Sequence, residues 1–472
     1  MNDYAPTTAF TAETAVASVD ASSTSLLTDM YELTMLQGAL ASGTATRRSV
    51  FELFGRRLPA SRRFGVVAGT GRLLDAIEAF AFTPSQIDFL HRTGVVNDET
   101  LDFLRDYRFT GTVRGYAEGE CYFAGSPLLT VEGTFAEACI LETLALSIYN
   151  YDCAVASAAS RMTIAAHGRP CVDFGARRAH EQAAVAAARA SVVGGFVGTS
   201  NLEAGLLYGI PTVGTSAHSF TLLHDSEEDA FAAQVASLGP STTILVDTYD
   251  IATGVERAVK AARAAGGELG AVRLDSGDLV AEAFKVRAQL DTLGATSTKI
   301  TVTNDLDEHA IAALGAAPVD SYGVGTKLVT GSGRPTAALV YKLVEREGAD
   351  GTMEEVAKFS SGGKSTVGGR KWAGRRLTSE GTAAEELVVS SSSQDHGLAA
   401  LSEAGARPLQ VLLVDEGRII EEHRGKEALS AAAERHRAAR AELPYDAWRL
   451  SDGESALPTR HVDLDGRSAT RR

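Results

Sequence analysis

The sequence predicts an α/β protein: an irregular β/α barrel joined to an α+β domain built from N-terminal and C-terminal segments. Two patterns carry that expectation. From about residue 135, short apolar runs alternate with Ala-rich helical stretches, the pattern of a parallel sheet with helical crossovers. Nearly every run then passes into polar or small residues: Asp173 to Arg177, Thr199 to Asn201, His218, Asp247, Arg273 with Asp275, Asn304 with Asp305, and Gly325 with Thr326. In a β/α barrel these ends share one rim, where active sites are built, whereas an open doubly wound sheet would divide them about one crevice.

In chain order, residues 1–25, rich in Ala, Thr and Ser, read as a disordered tail. Residues 26–134 form the N-terminal α+β domain. It opens at "LLTDMYELTMLQGAL", where Thr28 or Asp29 caps a helix with Leu33, Leu36 and Leu40 on one face. "SVFELFGRRL" and "GTVRGYAEGECYF" are β-type and "GRLLDAIEAF" is helical. Residues 135–345 are the barrel, with strands in "CVDFG", "GGFVGT", "PTVGT", "TILVD", "GAVRLD", "KITVTND" and "VDSYGVGT". Residues 346–450 are a C-terminal segment expected to pack on the N-terminal domain, with a helix in "EALSAAAERHRAARAEL", and residues 451–472 a tail.

Composition narrows the function classes. A chain of 472 residues, 44% hydrophobic, has room for two or three domains with large cores. Its net charge of -15, with the signs interspersed, argues against a nucleic-acid face but allows a local basic pocket for an anionic ligand. Cys121, Cys139, Cys153 and Cys171 show no CxxC spacing, so reduced buried thiols are expected rather than a zinc site or a disulfide framework. No apolar run approaches the roughly 20 residues of a membrane span. The first 25 residues hold no Lys or Arg, so the expectation is a cytoplasmic protein without a membrane partner.

Several strand ends carry chemistry. "DSYGVGTKLVTGSG" ends the last barrel strand in Gly-x-Gly-Thr, whose unhindered N–H groups and hydroxyl suit a phosphate ester, although a tight turn explains the same residues. "VRLDSGDL" places Arg273, Asp275 and Asp278 together, suited to an anionic substrate chelated to Mg²⁺ or, alternatively, to a structural ion pair. "ILVDTYDIATG" adds Asp247 and Asp250. It resembles the diphosphate-sugar loop of open-sheet phosphoribosyltransferases, except that Tyr249 stands where an adjacent acid is expected. In "DFGARRAH" an aromatic face beside Arg177 and Arg178 suits a flat anionic ring. "SSGGKST" imitates a P-loop but has Lys358 where the first Gly belongs; Lys358 and Lys364 with Arg370 and Lys371 read as a basic cluster for phosphates or as a solvated charge run. His218, in "PTVGTSAHSFTLLH", is open to reading as a core histidine, a base or a metal ligand.

Taken in order, "TDMYELTM", "FELFGRRLP", "DFGARRAHEQAA", "GGFVGTSNLEAGLLYGIPTVGTSAHSF", "VDTYD", "VRLDSGDL", "TNDLDE" and "YGVGTKLVT" resemble the nicotinate phosphoribosyltransferases, type II phosphoribosyltransferases, over about residues 26–375. "GGR" at Gly368 departs from the family's usual Pro-Gly pair. The resemblance implies joining of nicotinate to 5-phosphoribosyl 1-diphosphate, giving nicotinate mononucleotide and diphosphate, with ATP as co-substrate and Mg²⁺ as cofactor. It implies that ATP phosphorylates His218, and that Arg177, Arg273 and Asp275 join it in catalysis. It implies a substrate site of Phe174, Ser200, Asn201, Thr215 and the two arginines, with Tyr31 supplied by the other subunit of a homodimer. Asn304, Asp305, Gly323, Gly325, Thr326, Lys358 and Lys364 are then expected at phosphates, and Asp247 with Asp275 at the metal. Among alternatives, a nicotinamide-using relative carries Asp in place of Asn201, a quinolinate phosphoribosyltransferase is much shorter, and a non-catalytic NAD-precursor sensor would have lost His218, Arg273 or Asp275.

Overall fold

The computed structural model describes residues 23–358 and 366–466. Six parallel strands lie at its centre: β1 (Cys171–Asp173), β2 (Gly198–Thr199), β3 (Thr243–Leu245), β4 (Ala271–Leu274), β5 (Lys299–Val302) and β6 (Ser321–Val324). Their order across the sheet is β2-β1-β6-β5-β4-β3. The strands are short and apolar because helices cover them outside and each carries only one or two residues to the rim. The result is a curled half-barrel, which is the irregular form of the expected barrel. "PTVGT" adds only a bridge, Thr199 to Thr212, with Thr199 N–H donating to Pro211 O at 3.0 Å and Val213 N–H donating to Thr199 O at 2.9 Å. Residues 211–213 are exposed and do not reach across to β3, so the curl stays open there.

The N-terminal segment forms a mixed layer around a second core. Strand Arg48–Gly55 pairs antiparallel with Pro127–Thr134 on one side and Leu339–Glu347 on the other, and Thr112–Tyr116 pairs with Gln410–Asp415. The seven-stranded sheet therefore takes a strand that straddles the expected boundary at residue 345 and one from the C-terminal segment. Helix Glu142–Ala165 serves both cores, with Leu144, Ala145 and Ile148 in one and Val155, Ala158 and Met162 in the other. Arg375, fully buried, binds the segments together, donating to Glu386 Oε2 at 3.0 Å and Glu120 Oε2 at 3.3 Å, while the Tyr116 hydroxyl donates to Glu386 Oε1 at 2.8 Å. The four cysteines are free and buried, and burial pushes the Cys121 and Cys171 thiols up to about 12.

Some sequence expectations change. Residues 1–22 of the expected tail lie outside the described residues, but Ser23–Ser25 are anchored: Ser23 Oγ donates to Ala81 O at 2.7 Å and Thr24 Oγ1 to Ala76 O at 2.6 Å. Residues 451–472 were expected as a tail, yet Thr459–Asp463 is a strand pairing in parallel with Ala383–Ser390. Asp29 occupies the first cap position without a side-chain bond, and Thr28 donates instead to Glu32 Oε2 at 2.6 Å. The C-terminal helix Gly425–Ala441 packs on barrel helices Glu181–Val193 and Leu202–Tyr208, so this segment reaches the barrel as well as the N-terminal sheet.

Candidate active site

The strand ends converge on a cavity of about 400 Å³. At the end of β1 the buried Asp173 folds the chain back, Oδ1 accepting from Gly175 N–H at 2.7 Å and Oδ2 from Thr199 Oγ1 at 2.7 Å. A Cβ on Gly175 would lie 2.2 Å from Val329 Cγ1, so only glycine permits this turn to press against the segment after β6. Phe174, Arg177 and Arg178 are thereby delivered to one wall. Phe174 sits against β6, where a Cβ on Gly323 would meet its ring at 2.4 Å.

Ser200 and Thr215 line the cavity with Arg273. Arg273 Nη1 donates to Thr215 Oγ1 at 2.8 Å, while its Nε is buried without a hydrogen-bond partner. Burial pulls the Arg273 pKa down; Asp275 and Asp247 oppose that and the nearby Arg177 adds to it. Such a crowded pair of guanidiniums favours an anion. Asn304, Asp305, Gly323, Gly325 and Thr326 line the same cavity, with Gly323 and Gly325 next to Phe174 because β6 is the neighbour of β1. Asn304 has φ 119°, a strained conformation for a side-chain-bearing residue at a candidate site.

His218 stands beside this cavity, after the lining residues Ser216 and Ala217. Its Nδ1 lies 3.1 Å from Thr248 Oγ1, and its Nε2 lies 4.0 Å from Asp247 Oδ1 and 3.9 Å from Asp275 Oδ2. Its side chain is 43% exposed, so it is not a core histidine. Asp247 accepts through Oδ2 from Asp275 N–H at 2.8 Å and Ser276 Oγ at 2.7 Å, leaving the buried Oδ1 unpartnered. Asp275 Oδ1 accepts from the Thr303 hydroxyl. Among the described residues no three His, Cys, Asp or Glu side chains are arranged to hold a metal ion.

Other expected residues lie elsewhere. Asn201 is not part of the cavity wall; its Oδ1 caps helix Leu202–Tyr208, accepting from Ala204 N–H at 3.0 Å. Asp250 and Asp278 cap helices in the same way. Tyr31, 47% exposed on helix Met30–Ala41, is remote from this subunit's cavity, and burial with Glu142 nearby raises its pKa. Lys364 lies outside the described residues, and Lys358 is exposed away from the cavity. Two of the cluster's cations have acidic partners in the same subunit: Lys371 Nζ donates to Glu52 Oε2 at 2.8 Å, and Arg370 pairs with Glu132 at 3.0 Å. Sequence reasoning did not single out Thr248, Ser276 and Thr303, the hydroxyls that orient His218 and the two acids; their only signal is adjacency to the strand ends.

The comparisons agree with this geometry. Residues 26–150 match the nicotinate phosphoribosyltransferase N-terminal domain and residues 170–360 the nicotinate phosphoribosyltransferase family. The chain is 51% identical to nicotinate phosphoribosyltransferase pncB1 of Mycobacterium tuberculosis (strain ATCC 25618 / H37Rv), over 93% of this chain and 95% of that one. It is 38% identical to the Bacillus subtilis (strain 168) nicotinate phosphoribosyltransferase, over 74% and 72% of the two chains. The fold is also that of the crystal structure of human nicotinic acid phosphoribosyltransferase, with a TM-score of 0.77, 24% identity, and coverage of 93% and 98%. Among the described residues no helix is long and apolar enough to cross a membrane. Matches over both domains, together with a strand-end cavity carrying the family's motifs, show that the chain belongs to the nicotinate phosphoribosyltransferase family and is an enzyme of NAD biosynthesis.

Proposed function

We propose that the chain makes nicotinate mononucleotide and diphosphate from nicotinate and 5-phosphoribosyl 1-diphosphate, coupled to ATP through phosphorylation of His218. The observation that carries this reading is the convergence of Phe174, Arg177, Arg273, Asn304, Gly325 and Thr326 on one cavity. An aromatic face with guanidiniums suits a pyridine carboxylate, and main-chain groups with a hydroxyl suit the 5-phosphate. The pyridine nitrogen lone pair forms the bond to C1 of the ribose while the C1–O bond breaks and diphosphate leaves with its electrons. No strong base is needed, so electrostatic preorganisation by Arg177 and Arg273 carries the catalysis.

His218 takes the γ-phosphoryl group as ADP leaves, and water later releases phosphate. Two carboxylates face Nε2 and suit its N–H, leaving Nδ1, beside the Thr248 hydroxyl, as the nitrogen with the free lone pair. Phosphorylation orders the surrounding loops and raises substrate affinity; its hydrolysis favours product release. The unpartnered Asp247 Oδ1 and the Asp275 carboxylate would hold Mg²⁺, which would supply positive charge to the leaving diphosphate. Leu202, Leu206, Leu222 and Leu223, exposed on the two short helices flanking the site, suit cover by a second subunit, which would bring Tyr31 to the ring opposite Phe174.

The test is incubation with nicotinate or nicotinamide, the diphosphate donor and Mg²⁺, with and without ATP, reading mononucleotide by chromatography. Nicotinate is the expected acceptor and ATP the expected stimulant. His218→Asn removes ATP hydrolysis and acid-labile labelling from γ-labelled ATP but leaves some ATP-insensitive synthesis at high donor concentration. Preference for nicotinamide, or label on the folded variant, overturns the corresponding part of the reading.

A further inference from the structure

Glu308 lies outside the catalytic cavity, at the start of helix Glu308–Ala313, and is 3% exposed. Its Oε1 accepts from Arg161 Nε at 2.9 Å and lies 3.6 Å from Arg62 Nη1; its Oε2 accepts from Ser332 Oγ at 2.6 Å. Arg62 Nη2 donates to Gly331 O at 2.7 Å, and Arg161 Nη2 donates to Leu450 O at 2.7 Å. Both arginines are buried, so a single carboxylate faces two guanidiniums. Burial raises the Glu308 pKa, but the bonds from Ser332 and Arg161 outweigh it and hold the group below its ordinary value, hence ionised.

The two segments joined at this carboxylate both contribute residues to the cavity lining. Asn304 and Asp305 lie on the chain leading from β5 into Glu308, and Gly325 and Thr326 on the chain leading from β6 to Ser332. Both segments hold a side-chain-bearing residue at positive φ, Asn304 at 119° and Ser332 at 53°. Such conformations persist where surrounding contacts over-determine them.

We propose that Glu308 is a positioning residue for the 5-phosphate: by joining the post-β5 and post-β6 segments through Ser332, with Arg62 and Arg161 fixing it from the N-terminal segment and helix Glu142–Ala165, it sets the spacing of the groups that hold that phosphate. The inference rests on the proposed phosphoribosyl transfer. A phosphate bound by donors on two independent segments needs their separation fixed before binding, because hydrogen bonds weaken steeply with misalignment. Glu308, Ser332, Arg62 and Arg161 themselves line neither the catalytic cavity nor the His218 cluster, so the largest effect falls on ligands that carry the 5-phosphate.

The experiment uses the full chain. Ser332→Ala removes only the link between the segments, and Ser332→Asn, which tolerates positive φ, restores a side-chain donor. Inhibition by ribose 5-phosphate and by inorganic diphosphate, the KM for each substrate, and the thermal midpoint are measured on each variant. The expected result for Ser332→Ala is a rise of about tenfold in the donor KM and the ribose 5-phosphate Ki, the loss of one charge-assisted hydrogen bond. The diphosphate Ki and the nicotinate KM stay within about twofold, and Ser332→Asn recovers part of the loss. Glu308→Gln, which removes the charge with little change of shape, is expected to follow the same pattern, with a lowered thermal midpoint. A uniform weakening of all ligands, or none on a folded Ser332→Ala protein, overturns the proposal. If the wild-type protein makes no mononucleotide, it is the assignment of the reaction that fails instead.

Discussion

Replacing Gly323 by alanine tests whether the pyridine wall is built by the packing of Phe174 on β6. The backbone at Gly323 is not at positive φ, so alanine meets no conformational obstacle. Its Cβ, however, would stand 2.4 and 2.5 Å from Phe174 Cδ2 and Cε2 and 2.6 Å from Thr303 Cγ2. Carbon contacts are comfortable at roughly 3.5–4.0 Å, so something must retreat by about 1 Å. Thr303 is held by its N–H bond to Leu274 O at 2.9 Å and by its hydroxyl on Asp275, whereas the Phe174 ring borders open space. The ring is therefore the part that moves, into the cavity. Overpacking of this kind costs about 1–3 kcal/mol of stability, and a 1 Å misplacement of a positioning group costs on the order of 100-fold in rate.

Steady-state kinetics with each substrate, beside thermal melts, check this. Gly323→Ala is expected to raise the nicotinate KM and lower kcat/KM by about 100-fold, with a reduced melting temperature. Gly323→Ala combined with Phe174→Leu is expected to regain the stability but not the nicotinate affinity, because the smaller side chain relieves the clash without restoring a ring. Wild-type nicotinate KM and melting temperature in the single variant would refute the packing argument. A rise confined to the donor KM would assign Gly323 to the phosphate, as its motif suggests.

Three further outcomes follow from the same coordinates. Asn201→Asp keeps the helix cap, since either side chain supplies the accepting Oδ1, and because Asn201 is not part of the cavity wall the melting temperature and the nicotinate kcat/KM should both hold; a fall of roughly tenfold would instead put this side chain in the carboxylate's surroundings. Tyr31→Ala and Arg273→Ala, each inactive alone, are expected to regain activity in verified mixed dimers if Tyr31 completes the partner's site; mixed dimers no better than either parent argue against sharing. Buried His436, with Nε2 2.8 Å from Ser160 Oγ, has its pKa pulled down to about 3 by burial, so the unfolded chain binds this proton more readily than the folded one. Its contribution to stability is present above pH 6.5 and is lost as pH falls towards 3, at up to about 1.4 kcal/mol per pH unit, and His436→Gln should flatten that part of the melting-temperature profile.

The parts of this site that the sequence discloses are those whose function is written locally. Phe174 and Asp275 each sit one residue beyond a strand, Arg273 is the penultimate residue of β4 and Arg177 follows β1 by four residues, and a strand end at a barrel rim is a local pattern. What stays hidden depends on a partner distant in the chain. Lys371 and Arg370 read as free cations until Glu52 and Glu132, from other strands of the folded chain, are found beside them. Strand Thr459–Asp463 is invisible for a different reason: "TRHVD" is polar and its pairing runs along one neighbour, Ala383–Ser390, so no hydrophobic alternation announces it. Gly323 reads as a phosphate loop from its motif, and the closeness of Phe174 appears only when β1 and β6 are neighbours.

The open seam of the half-barrel adds a step to the proposed coupling. In a closed barrel the segment 211–213 would be held between two strands; here it is bonded to β2 alone, and the residues that follow it are Thr215, which holds Arg273, and His218, which meets Thr248, Asp247 and Asp275. The free side of this segment is thus tied to the rest of the rim through two side chains three residues apart. On the proposed reading, a phosphoryl group on His218 Nδ1 would bring new negative charge beside Thr248, across the ring from the two carboxylates, and the resulting repulsion would act on the segment that positions Arg273 through Thr215. A fully paired strand would resist that displacement. An edge held by two main-chain bonds would yield to it, so under the proposed coupling the same irregularity that leaves the barrel incomplete would let the state of His218 reach Arg273.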